Sequence, residues 1–169
     1  QKNIPVVWFV RVYEDIEVSK VTTNDYESSF TATEHLIDTG CKRIAYLVIN
    51  KSISIGKVRG QGYIYALAKH GIPFDDELVI DCSQEEKVNY SIIKNVLKKI
   101  KPDGIFSSVE RLAIATYYVC KDINIAIPGD LKIISFSSLS IAPLLSPALS
   151  TITQPAYEMG VQAAELLFE

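Results

Sequence analysis

The chain has 169 residues, 48% of them hydrophobic and 22% charged, with eight glycines, no low-complexity tract and a formal net charge of −3. This composition requires a folded core and excludes a disordered or fibrous chain, and the acidic balance argues against a nucleic-acid-binding surface in this stretch, which needs clustered lysine and arginine. No apolar run reaches the roughly 20 residues of a membrane span; no signal peptide is present, although Gln1 is not a natural start and a leader could have been removed.

Short β-rich runs alternate with amphipathic helices along the chain, the pattern of a parallel sheet wound by crossover helices. Ile4 to Phe9 reads as a first strand opened by Pro5, and after a polar turn Val18 to Thr23 is a second extended piece. Asp25 suits a helix N-cap, with Tyr26, Phe30, Thr33 and Ile37 on one face and Gly40 as the stop. Ile44 to Ile49 is a strongly apolar strand, followed by a helix from about Lys57 to His70 that Gly71 caps. Leu78 to Ile80 is a strand; Val88, Ile92, Val96 and Ile100 then line one helical face. Pro102-Asp103-Gly104 turns into the buried strand Ile105 to Ser107, and a helix follows from about Arg111 to Lys121. After the loop Ile125 to Asp130 come a strand from Ile133 to Phe136, a short helical piece around Ile141 to Leu145 and an extended run from Leu149 to Thr153. Pro155 opens a last helix, on which Met159, Ala163 and Leu166 share a face.

The fold class expected is α/β, with doubly wound parallel sheets in two lobes of which one is complete and the other partial. Residues 24–149 form the complete lobe; residues 1–23 and 150–169 belong together in the second, so the chain crosses between lobes near Thr23 and Thr151. A two-lobed protein normally needs more chain than this, single domains clustering at roughly 100–150 residues, so a fragment is expected. Ligands of such sheets bind beyond the carboxyl ends of the strands. Cys41, Cys82 and Cys120 are odd in number and distant from His35 and His70, which leaves no disulfide framework or zinc pattern and suits a reducing cytoplasm. Lys98, Lys99 and Lys101, the densest basic run, read as a solvated helix end. Gly56, Gly60 and Gly62 do not make a nucleotide loop, since Tyr65 stands where a third glycine belongs and no Gly-Lys-Ser/Thr follows; Gly62 better serves close helix packing. A hydrolase would need a nucleophile elbow and a partnered base, and neither histidine lies at a strand end.

A series of blocks runs through the chain in order. They are Ile4-Pro5-Val6-Val7; Asn24-Asp25 before Glu34-His35-Leu36-Ile37; Gly40-Cys41-Lys42-Arg43-Ile44-Ala45; and Arg59-Gly60-Gln61-Gly62-Tyr63. Lys101-Pro102-Asp103-Gly104-Ile105-Phe106, Ile127-Pro128-Gly129-Asp130 and Pro147-Ala148-Leu149-Ser150-Thr151-Ile152-Thr153-Gln154-Pro155 continue it. Together these resemble the lactose-repressor (LacI) family over essentially the whole chain, the closing run with Glu158-Met159-Gly160 being the most family-specific. The resemblance implies the periplasmic-binding-protein-like effector core of a cytoplasmic bacterial transcription regulator. Such a core is a dimer that binds a sugar or related metabolite and controls DNA through a helix-turn-helix absent from this sequence. It implies no catalytic residue, cofactor or metal. A periplasmic sugar-binding protein of a transporter or sensor shares the fold and is the alternative.

The resemblance also selects site residues. Arg59 stands just beyond the strand Ile44 to Ile49, where a guanidinium presents fixed donors to ligand oxygens; taken alone it reads as a first-turn surface arginine, and the match to the family's effector-binding arginine reverses that. Val10 precedes Arg11 where the family usually carries an acid, Val109-Glu110 replaces Asn-Asp, and after Phe136 the usual sugar-gripping aspartate is Ser137. These seven positions are the expected ligand wall, with carboxylates for a neutral sugar depleted. Either the ligand is less polar or carries its own negative charge, the anionic case failing if Glu110 meets Arg59 across the cleft and neutralises it, or the protein answers instead to a partner protein or a phosphorylated metabolite. For the dimer, Leu112, Tyr117, Leu139 and Leu144 are the expected apolar contacts.

Overall fold

The strand β3 (Ile44–Ile49) has no polar side chain apart from the Tyr46 hydroxyl and is buried along almost its whole length, as a strand covered on both faces must be. In the computed structural model, which describes residues 6–9, 17–50 and 54–168, β3 lies inside a parallel sheet with β4 (Val79–Cys82), β5 (Gly104–Ser107), β6 (Lys132–Phe136) and β7 (Ser150–Ile152), in the order β4-β3-β5-β6-β7. The helices between them are α1 (Asp25–Asp38), α2 (Ser54–Lys69), α3 (Glu86–Asn95), whose last turn widens at Val96–Ile100, and α4 (Glu110–Ile123). β1 (Val7–Phe9) and β2 (Ser19–Val21) pair in parallel as a separate ribbon, against which α5 (Ala156–Phe168) packs.

Alternation of side chains along each strand divides the core in two. Ala45, Leu47, Ile105 and Ile133 face α3 and α4, meeting Ile93, Leu97, Leu112 and Val119. Ile44, Tyr46, Val48, Phe106, Ile134 and Phe136 face α1 and α2, meeting Ala32, Leu36, Tyr63 and Leu67. The crossovers thus cover both faces of one sheet, and all five strands deliver their carboxyl ends to the same edge.

Four expectations change. The sheet does not end at Leu149: Ser150–Ile152 is its edge strand, paired with Ile134 to Phe136 because the extended run offers a free row of backbone donors and acceptors. Asp25 is the first helical residue rather than the cap, which is Asn24; its carboxylate is drawn elsewhere by a buried arginine. The buried face of α1 is Asp25, Ser29, Ala32, Thr33 and Leu36, leaving Tyr26 exposed. Gly62 explains that shift, since α2 crosses α1 so closely that a Cβ there would stand 2.3 Å from the Tyr26 carbonyl oxygen, and only a face of small residues admits it. On α3 the buried residues are Asn89 and Ile93, followed by Val96 and Leu97, while Val88 is exposed; Asn89 is brought in by bonding both ways with the Ser83 backbone.

Other expectations match. Gly71 ends α2 with φ +67°, and Ile72 donates to the Leu67 carbonyl at 2.9 Å. Met159, Ala163 and Leu166 are the covered positions of α5. Ile4 and Pro5 lie outside the described residues.

Candidate functional site

Arg59 stands in the second turn of α2, and the side chains around it fix its guanidinium on every side. Nε donates to Asp25 Oδ1 at 2.6 Å, Nη2 lies 2.6 Å from the same oxygen, and Nη1 donates to the Ser108 carbonyl at 2.6 Å. The plane lies over the Phe136 ring, 3.5 Å from its centroid. Both charged side chains are buried, 5% exposed for Arg59 and 8% for Asp25, so the pair meets in low dielectric where attraction is strong and desolvation costly. Of the five N–H donors of an arginine, one on each terminal nitrogen has no partner among the described residues.

The second carboxylate oxygen of Asp25 accepts the Thr23 hydroxyl at 2.6 Å, and Gln154 Nε2 donates to Thr23 Oγ1 at 3.2 Å. One continuous set of bonds therefore joins Gln154 and Thr23 to the arginine through Asp25. Beneath it Phe136 packs against Phe106 with centroids 6.0 Å apart, and Phe106 stacks on Tyr46 at 5.1 Å. Burial raises the Tyr46 hydroxyl's pKa well above its ordinary value, the nearby Arg59 only partly offsetting this; the phenol is a fixed donor to the Gly56 carbonyl at 3.2 Å and not a titrating group.

Five expected residues, Arg59, Val109, Glu110, Phe136 and Ser137, line one open basin of about 530 Å³ at the carboxyl ends of β5 and β6. Val10 and Arg11 lie outside the described residues. Val109 takes extended backbone as the cap of α4 and its carbonyl accepts the Ser107 hydroxyl at 2.7 Å. Glu110 does not meet Arg59, contrary to the possibility that it neutralises it. Its Oε2 accepts the Ser137 hydroxyl at 3.1 Å and the Ser138 N–H at 3.3 Å, and Arg59 takes Asp25 instead. The residues that sequence reasoning missed are Asp25, Gln84, Ser108, Arg111, Ser138 and Gln154. Asp25 was hidden by its plausible local role as a cap, while Gln154 belongs to the closing Gln-Pro run and was visible there without a function. Among the described residues no group of His, Cys, Asp and Glu is placed to hold a metal.

A second hollow of about 590 Å³ lies between α3 and α4, with Tyr90, Ile114, Ala115, Tyr118 and Leu139 in its wall. Of the expected dimer contacts, Leu112 is wholly buried in the core and Tyr117 is half-buried with its hydroxyl on the Pro147 carbonyl at 3.1 Å. Leu144 is 81% exposed, and Tyr118, which the sequence reading passed over, is 65% exposed.

A parallel sheet wound on both faces, with a polar basin beyond the carboxyl ends of its strands, has the architecture in which open α/β sheets bind ligands. The periplasmic binding protein-like domain family matches residues 33–169, and the chain belongs to it. It is similar to catabolite control protein A of Priestia megaterium, 27% identical over 167 residues, and to the transcriptional regulator GalR of Escherichia coli K12, 32% identical over 170 residues. Those alignments cover 97% and 98% of this chain and 50% and 49% of the relatives, so the chain spans about half the length of the curated relatives it matches. Among solved structures, the regulator CcpA of Lactococcus lactis superposes with a TM-score of 0.89 at 27% identity, covering 97% of this chain and 60% of that one. A LacI-family regulator from Enterococcus faecium with bound ribose gives 0.87 at 25% identity, covering 97% and 61%. These relatives are transcription regulators, which disfavours the transporter alternative.

Proposed function

We propose that this chain is the larger part of the effector-sensing core of a cytoplasmic LacI-type transcription regulator, and that it senses its ligand without reacting with it. The effector, a sugar or sugar derivative, binds in the basin, and a helix-turn-helix elsewhere in the full protein reads the DNA. One observation carries the reading: Arg59, held by Asp25, Ser108 and Phe136 in the wall of a basin at the strand ends, is bonded through Asp25 and Thr23 to Gln154. A ligand that takes the two remaining Arg59 donors acts on the same set of bonds that joins the crossings near Thr23 and Thr153, which are proposed as hinges between the lobe of residues 24–152 and the second lobe. Two lobe arrangements in equilibrium, one preferred by the ligand, then alter the spacing of the DNA-binding heads. Val10 and Arg11 are proposed to face the basin from the second lobe.

The full protein is proposed to be a two-fold dimer, with the α3–α4 hollow, Tyr118 and Leu144 as its apolar contact on this lobe. Solution scattering of the full-length protein, with a ligand chosen by a thermal-shift screen of neutral sugars, sugar acids and sugar phosphates, tests the mechanism. Compaction of the core together with altered operator affinity is expected. Altered operator affinity with unchanged lobe geometry and dynamics would contradict the hinge mechanism, and absence of any stabilising compound in all three classes would contradict the effector reading.

A further inference from the structure

Glu110 and Arg111 are consecutive at the start of α4, and consecutive helical residues point about 100° apart. The structure turns that divergence into two walls. Glu110 reaches the loop after β6, where Ser137 and Ser138 hold one of its carboxylate oxygens. Arg111 reaches the loop after β4, where Nη2 donates to Gln84 Oε1 at 2.7 Å and Nη1 to the Gln84 carbonyl at 3.3 Å. Both residues, with Gln84, line the basin.

The charges are disposed differently from what Arg59 alone suggests. Arg59 is the residue expected to attract an anion, yet Asp25 at 2.6 Å already neutralises it. Arg111 has only neutral amide oxygens as partners, and among the described residues it has no carboxylate within ion-pair distance. It therefore keeps its full charge, with three of its five donors open, enough to grip a planar or tetrahedral oxyanion from two nitrogens. Among the described residues the second carboxylate oxygen of Glu110, on the wall by Ser137 and Ser138, has no hydrogen-bond partner, and a carboxylate oxygen is the strongest kind of acceptor for a hydroxyl.

We infer that the basin selects a polyhydroxylated ligand bearing an oxyanion, with the carboxylate or phosphate on Arg111 and a hydroxyl on Glu110, and that Arg111 is the residue that determines this specificity. The inference rests on the effector reading above. A neutral sugar satisfies the Glu110 wall and leaves the Arg111 charge unanswered.

Calorimetry on the full-length protein with glucose, galactose, ribose, gluconate, galacturonate, glucose 6-phosphate and inorganic phosphate tests it, sugar acids and sugar phosphates separating the two sources of the oxyanion. At least one sugar acid or sugar phosphate is expected to bind more tightly than every neutral sugar and than inorganic phosphate. Arg111→Gln, at a half-exposed position that leaves the core intact, should weaken that ligand by about tenfold to a hundredfold; Arg111→Lys should recover part of the loss, and Glu110→Gln should weaken acid and neutral probes alike. Tightest binding of a neutral sugar, with Arg111→Gln within twofold of wild type, would overturn the inference and leave the effector reading standing. Binding of none of the probes would overturn both. Arg111→Gln weakening the dimer in ultracentrifugation while leaving oxyanion affinity unchanged would assign Arg111 to the subunit contact and overturn the inference alone.

Discussion

Arg59, in the wall of the basin, and Asp25 are buried against each other, and removing either leaves a buried charge without its counter-charge. Arg59→Ala should therefore cost roughly 3–5 kcal/mol of stability, read from urea unfolding, and Asp25→Ala a similar amount. The double variant Asp25→Ala/Arg59→Met should cost clearly less than the sum of the two, because it removes both charges together; strict additivity would show that the pair is not coupled. Loss of ligand binding in Arg59→Ala alone is thus a poor measure of ligand contact. The sequence made Arg59 legible through its block and left Asp25 illegible, because 34 residues separate them and an aspartate ahead of a helix already has an ordinary explanation.

The cysteines give a second residue-scale prediction. Burial pushes Cys82 up to about 12 and Cys120 up to about 11, and raises Cys41 as well. In the unfolded chain thiols ionise near their ordinary value of 9.0, so between about pH 9 and 12 the folded state holds more protons and these groups lower stability as pH rises. Maleimide labelling at pH 7.5 should leave all three thiols unmodified in the native protein and modify them in denaturant; rapid native labelling of any one would contradict its burial.

At the scale of elements, the alternation of strand and helix is plain in the sequence because each buried strand is a short apolar run bounded by polar turns. Helix faces are less plain. On α1 the inward side carries Asp25, Ser29 and Thr33 rather than Tyr26 and Phe30; hydrophobicity points to the wrong side wherever close helix approach demands small residues. Phe30 instead meets Tyr65 of α2, centroids 5.6 Å apart. Gly62→Ala tests the reason: its Cβ would press on Tyr26 and Phe30 backbone at 2.3 and 2.9 Å, so a loss of about 1–3 kcal/mol is expected, seen as a lowered thermal midpoint with ligand affinity retained by the folded fraction. An unchanged midpoint would mean that the two helices separate freely.

At the scale of the molecule, the sequence marks Leu149 to Thr153 as extended but places the lobe edge at Leu149, whereas the sheet extends to Ile152; so short a strand does not say in sequence which sheet it joins. The proposed dimer is checked by Tyr118→Asp, which should raise the dimer dissociation constant of the full-length protein by about tenfold or more in analytical ultracentrifugation; a monomeric wild type at micromolar concentration would contradict the dimer itself. Ligand in the Arg59 basin and DNA on the proposed distant heads are expected to be energetically coupled. Fluorescence anisotropy of labelled operator, titrated with the full-length protein with and without saturating ligand and paired with ligand calorimetry with and without operator, measures that coupling from both ends. The ligand should change operator affinity by roughly 5- to 150-fold, and the operator should change ligand affinity by the same factor, as linkage requires; a ligand that fills the basin while operator affinity stays unchanged would contradict the claim.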